Sequence, residues 1–107
     1  MSFEYTIEIK PAMRLDEIIS KIENLSAIKG FLHFRENGIL YIKDPAISSS
    51  WRYDIFFLKK ETKIEVSLNG WSKGLHDLLK CALDALQYVI LDDDGEPISL
   101  KKLFRIE

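Results

Sequence analysis

The chain holds one cysteine, Cys81, among its 107 residues. An internal disulfide and a four-cysteine metal site are both excluded. The only histidines, His33 and His76, do not supply with Cys81 the clustered spacing of a zinc site. Five glycines and three prolines rule out collagen-like repetition. No excess of basic charge is present either. Fifteen basic and seventeen acidic side chains give a formal net charge of −2, which argues against a nucleic-acid binder held by a basic surface. No apolar run approaches the roughly 20 residues needed to cross a bilayer. The first ten residues, MSFEYTIEIK, alternate and carry acid, unlike a secretion signal. The expectation is a cytoplasmic protein with no membrane and no nucleic-acid partner.

What is present is an ordinary globular composition, 47% apolar and 30% charged. A chain of this length can bury about two thirds of its unfolded surface, so one compact domain over residues 1–107 is expected. No internal repeat or linker divides it, and the serine triplet at 48–50 is too short to join domains.

Periodicity then gives the elements. Phe3, Tyr5, Ile7 and Ile9 alternate with Ser2, Glu4, Thr6, Glu8 and Lys10, a strand with one buried face. Pro11 ends it or opens the next helix. Leu15, Ile18, Ile19, Ile22 and Leu25 form one stripe of a helix predicted from Ala12 to Leu25. Residues 30–36 and 39–43 flank Asn37-Gly38, the signature of a type I′ hairpin. Its register pairs Glu36 with Ile39, Phe34 with Tyr41 and Leu32 with Lys43 on one face, and Arg35 with Leu40 and His33 with Ile42 on the other. Both faces carry apolar groups, so either the hairpin is covered on both sides or one face keeps an apolar patch.

Trp51, Tyr53, Ile55 and Phe57 alternate with Arg52, Asp54, Phe56 and Leu58, predicting a strand over 51–58. A second strand over 63–68 follows after a short loop, with Phe57 sharing a face with Val66 and Ile55 with Leu68. The opposite face collects Arg52, Asp54, Phe56, Glu65 and Ser67, a mixed surface for solvent or a partner. A long helix is predicted from Ser72–Leu75 onward, its stripe running Leu75, Leu78, Leu79, Ala82, Leu83, Leu86, Val89 and Ile90. Cys81 then falls on the far side near Asp77, Asp84 and Tyr88. Gly95 and Pro97 end this segment, and residues 98–106 make a short closing element. The resulting fold class is α+β, a mainly antiparallel sheet of about five strands in the order β-α-β-β-β-β-α, with two amphipathic helices on one face.

Chemistry is sparse. His76 and Cys81, five apart on one helix, diverge by about 140°. Asp54 near Glu65 is the one sheet carboxylate pair of interest for acid–base work, with ordinary cross-strand charge mixing as the alternative. Gly70-Trp71-Ser72-Lys73-Gly74 lacks the spacing of a phosphate loop and reads instead as the start of a helix, with Trp71 covering the core. Asp92-Asp93-Asp94-Gly95-Glu96 does not fit a calcium-binding EF-hand loop. At the end of a long helix these charges oppose the macrodipole. Either Asp94-Gly95 is a simple turn neutralised by Lys101, Lys102 and Arg105, or the run docks a basic partner. The aromatics interleaved with charge at 51–56 also suit a protein interface. The candidate partner-binding residues are therefore Asp92, Asp93, Asp94, Glu96, Arg52, Asp54, Phe56 and Glu65, with no catalytic, cofactor-binding or metal-binding residue.

The stretch from Leu75 to Leu100, LHDLLKCALDALQYVILDDDGEPISL, joins a helix to an acidic turn. In this, and as a small, mildly acidic α+β chain without a catalytic signature, the protein resembles the immunity proteins of bacterial contact-dependent growth inhibition and related polymorphic toxin systems. The resemblance is one of type, and no family residue transfers onto this sequence. It implies a chain that binds one cognate toxin domain and blocks its active site, as a monomer or weak dimer without a cofactor. Many such toxins are nucleases with basic clefts, to which an acidic surface is complementary. The alternatives are a structural or regulatory subunit that self-associates through a sheet edge, and a small enzyme using His33 or Cys81.

Overall fold

Alternation in the first residues becomes β1 (Phe3–Lys10), with Ile7 and Ile9 buried and Glu4 exposed. The computed structural model describes residues 3–10, 15–47, 51–84 and 86–106. Ser2, the Pro11 boundary, the helix start at Ala12 and the serine triplet lie outside the described residues.

The first helix, α1 (Leu15–Ile28), buries the expected Leu15, Ile18, Ile19 and Ile22. It runs three residues past the expected end at Leu25. Ser26 continues the buried stripe, its hydroxyl donating to the Ile22 carbonyl at 2.7 Å, and Gly30 closes the turn at φ +81°.

Next, β2 (Leu32–Glu36) and β3 (Ile39–Lys43) pair in the expected register, from Glu36↔Ile39 to Leu32↔Lys43. Asn37 and Gly38 take the positive φ values, 55° and 78°, that a two-residue type I′ connection demands. Only one hairpin face is covered. Leu40 and Ile42 are sealed in the core, whereas Phe34 and Tyr41 are half-buried on the other side.

The strand expected over 51–58 forms later, as β4 (Ile55–Lys60). Asp54 fixes its start: its N–H donates to Ile42, and its carbonyl accepts from both Asn69 and Gly70. Residues 51–53 therefore do not follow strand alternation. Tyr53, expected beside Ile55 and Phe57, lies instead against Tyr41 and Phe56. β4 pairs with β5 (Lys63–Leu68), with Ile55↔Leu68 and Phe57↔Val66 as anticipated.

The long helix is the main correction. α2 spans only Lys73–Leu83, and Leu86, Val89 and Ile90 do not continue its stripe. Residues 87–91 form β6 (Gln87–Leu91), antiparallel to β1 through Ile7↔Ile90 and Ile9↔Tyr88. Helical and strand periods both accommodate a short apolar run, and the free edge of β1 decides between them. Five inter-strand pairs there satisfy backbone groups that a longer helix would leave unpaired. Tyr88 accordingly leaves the helix that carries Cys81.

β7 (Pro97–Ile98) closes a small hairpin on β6, and α3 (Leu100–Leu103) is a single turn capped by Ser99. Among the described residues the sheet thus has seven antiparallel strands in the order β2-β3-β4-β5-β1-β6-β7, with three helices, rather than about five strands and two. The class is α+β as expected. The inward side chains of β1, β3, β4, β5 and β6 share one core with the buried stripes of α1 and α2. Among the described residues the opposite sheet face carries no helix. Among the described residues no helix is long and apolar enough to cross a membrane.

Candidate functional site

The uncovered face is built by strand register. Across β2, β3, β4, β5 and β1, direct pairing aligns Phe34, Tyr41, Phe56, Ser67 and Glu4 in one row. A second row aligns Glu36, Ile39, Leu58, Glu65, Thr6 and Leu91.

The β2–β4 side of this face is aromatic. Phe34 and Tyr41 stack with ring centres 4.7 Å apart, and Tyr53 and Phe56 meet Tyr41 at 4.9 and 5.7 Å. Offset and edge-on ring pairs of this kind add about 0.5–1.5 kcal/mol each beyond burial. Arg52 lies over Phe34 at 5.2 Å and pairs with Glu36 at 3.6 Å. Both side chains of this pair stay largely exposed.

The β5–β1–β6 side is acidic. Glu4, Thr6, Phe56, Glu65, Ser67, Asp92 and Asp93 line one concavity of about 240 Å³. Asp92 and Asp93 reach it because the chain leaves β6 beside β1. Among the described residues no basic side chain lines this concavity, and Lys60 Nζ lies 3.6 Å from Glu65 at its margin.

The acidic run is a hairpin turn, not a helix end, so the macrodipole does not act on it. Asp92 Oδ1 accepts the backbone N–H groups of Asp94 and Glu96 at 3.0 and 2.9 Å. The Asp92 carbonyl accepts from Gly95, which supplies φ +81°, and its N–H donates to Glu96. Carboxylate oxygens of Asp92, Asp93 and Asp94 lie within 4.8 Å of one another, but Asp92 already spends one on the turn.

The basic tail answers the run only in part. Lys102 lines a neighbouring concavity with Asp92 and Asp93, without an ion pair to either among the described residues. Arg105 instead covers the Trp71 ring at 4.2 Å and Phe3 at 5.3 Å. Burial pushes the Tyr5 phenol above its ordinary pKa; Arg105 opposes that rise, and Asp93 and Asp92 add to it.

Of the eight anticipated partner-binding residues, Phe56, Glu65, Asp92 and Asp93 meet in the acidic concavity. Asp94 and Glu96 are exposed in the adjoining turn, and Arg52 sits across the aromatic cluster. Asp54 does not belong to the surface. It is fully buried, accepting the Asp44 N–H at 2.8 Å and lying 3.4 Å from Lys43 Nζ. It therefore makes no acid–base pair with Glu65, which stands opposite Leu58 farther along β4. Glu4, Thr6 and Ser67 were not anticipated as site residues. Their signal was the outer face of β1, which becomes part of the site only once β5 and β6 flank it.

The nucleophile candidates remain apart in kind. Cys81 is exposed, whereas His76 is buried against Phe104, with Nδ1 3.0 Å from Asp77 Oδ1. Hydrogen bonds from His76 and then Lys73 hold the Asp77 carboxyl below its usual range. His33 Nδ1 lies 3.5 Å from Glu23. Trp71 covers the core as anticipated, donating Nε1–H to the Leu103 carbonyl at 2.9 Å.

Compared with known proteins, the chain matches no family model, no curated protein and no solved structure.

Proposed function

We propose that this chain is a non-catalytic protein-binding module, an immunity protein that binds one cognate toxin domain and blocks its active site. The observation that carries the reading is the helix-free sheet face, where an aromatic cluster adjoins a concavity ringed by four carboxylates. Aromatic groups give a docking surface rigid apolar anchors, and like-sign charge steers and selects a partner of opposite sign. The partner is accordingly a toxin domain with a basic surface, and a nuclease cleft has the right charge.

The test is affinity capture with the tagged chain from the cells that encode it, at low and moderate salt. A single stoichiometric partner carrying a toxin domain is expected, held more weakly as salt rises. Its toxic activity is abolished by one equivalent of the chain. Capture of no such partner overturns the reading.

A second reading, self-association, draws on β2 as a sheet edge with Leu32 61% exposed. A mass that doubles with concentration in light scattering, and is restored to monomer by Leu32→Lys, would favour it.

A further inference from the structure

Resting on the docking function above, we propose that the concavity between β4, β5 and β1 is a subsite for one arginine side chain presented by the protein partner. Charge alone does not carry this. Ser67 stands between Phe56 and Glu4 in the strand register and is 2% exposed, although its face of the sheet has no helix over it. Every wholly sealed side-chain polar atom among the described residues has a hydrogen-bond partner. Ser67 Oγ has none among them and lines this concavity, so its hydroxyl opens into the cavity floor. A hydroxyl at the cavity floor with no partner among the described residues keeps its hydrogen-bonding capacity for a ligand donor.

The surroundings select the donor. Glu4, Glu65 and Asp93 line the same concavity as the hydroxyl and supply it with acceptors, and Phe56 lines it from β4. A guanidinium fits this set better than an ammonium does. It is planar, presents five donors in a fixed fork, binds carboxylates bidentately and stacks on an aromatic face. An ammonium is a strongly hydrated point charge without a stacking plane. Among the described residues none of the chain's own cations lines this concavity: Arg52 pairs with Glu36, Lys60 lies 3.6 Å from Glu65, and Lys102 lines the neighbouring concavity that shares Glu4, Asp92 and Asp93. The occupant therefore comes from outside.

The experiment titrates the full chain, labelled with nitrogen-15, with N-acetyl-arginine amide and in parallel with N-acetyl-lysine amide. Saturable amide shifts confined to Glu4, Phe56, Glu65, Ser67 and Asp93 are expected with the arginine probe, with the lysine probe at least about threefold weaker. The double variant Glu65→Gln/Asp93→Asn should lose about tenfold in affinity. Ser67→Ala should weaken the arginine probe while leaving the spectrum of the free protein otherwise unchanged. Equal response to both probes, or unsaturable shifts over every acidic surface, overturns the subsite. If a captured toxin domain binds the double variant as tightly as the parent, the subsite falls and the docking function stands. If the arginine probe titrates as expected but no toxin domain is captured, the docking function falls and the guanidinium subsite stands.

Discussion

Asp54 accepts the backbone N–H of Asp44 at 2.8 Å, from a side chain wholly removed from solvent. Asp44 in turn accepts the Ser72 hydroxyl at 2.6 Å, and Ser72 accepts the Leu75 N–H at the first turn of α2. The start of β4, the loop after β3 and the N-terminus of α2 are thus one hydrogen-bonded unit. The Asp44 carboxylate also lies where the dipole of α2 favours negative charge.

Asp54→Ala removes the acceptor for a buried N–H and the counter-charge 3.4 Å from Lys43. A loss of about 2–3 kcal/mol is expected in urea unfolding, with the slope unchanged. Because Asp54 is not on the docking face, binding by the folded fraction should be unaffected.

Ser72→Ala deletes the N-cap of α2 and leaves Asp44 without its hydroxyl donor. About 1–2 kcal/mol should be lost, seen as a lower urea midpoint.

Gly70→Ala tests the close approach at the same unit. A Cβ there would sit 2.7 Å from Asp54 Oδ1 and 3.2 Å from Ile47 Cδ1. Gly70 is not at positive φ, so the cost comes from the clash, about 1–3 kcal/mol of stability. Thermal unfolding monitored by circular dichroism measures it.

Within the acidic turn, two neighbours should separate cleanly. Asp92→Ala loses the acceptor for two backbone N–H groups and should cost about 1 kcal/mol. Asp93→Asn should stay within about 0.5 kcal/mol of the parent while flattening the salt dependence of partner binding. Equal stability loss in both variants would make the whole run structural.

Asp77 sets a pH dependence. Its carboxyl is held below the ordinary value, so its contribution is fully present above the unfolded-state pKa and fades as pH falls through the lower folded value. The window lies below about pH 4. Asp77→Asn should be less stable than the parent above that window, and the two curves should converge in acid, as followed by urea midpoints at successive pH values.

Where a residue's local neighbours decide its conformation, the sequence was legible. Asn37-Gly38 specifies its turn chemically, and the turn specifies the register from Glu36↔Ile39 to Leu32↔Lys43. The α1 stripe and the faces of Phe57 and Ile55 follow from periods of 3.6 and 2. Leu86–Ile90 were not legible because their spacing suits both periods, and the deciding partner, β1, lies some eighty residues earlier. Asp54 misled for a related reason. Alternation makes it an outward residue, while its buried bonds to Asp44 and Gly70 arise from a loop that has no period. The acidic run was recognisable as charge. Its meeting with Glu65 and Phe56 depended on the sheet order.

The sheet order also has a consequence for how the chain matures. β1 precedes the other six strands of the sheet in the chain, yet it lies between β5 and β6, which come much later in the sequence. β2 through β5 form a local meander that can pair as it emerges, because each strand finds its neighbour within about a dozen residues. β1 must wait, with Ile7 and Ile9 unsheltered, until residues 63–68 are made, and its second edge stays open until residues 87–91 arrive. Such distant pairing makes closure slow relative to the hairpins and leaves an adhesive edge during translation. The carboxylates of Glu4 and Glu8 and the ammonium of Lys10 along β1 keep that waiting strand charged and discourage pairing with another nascent chain.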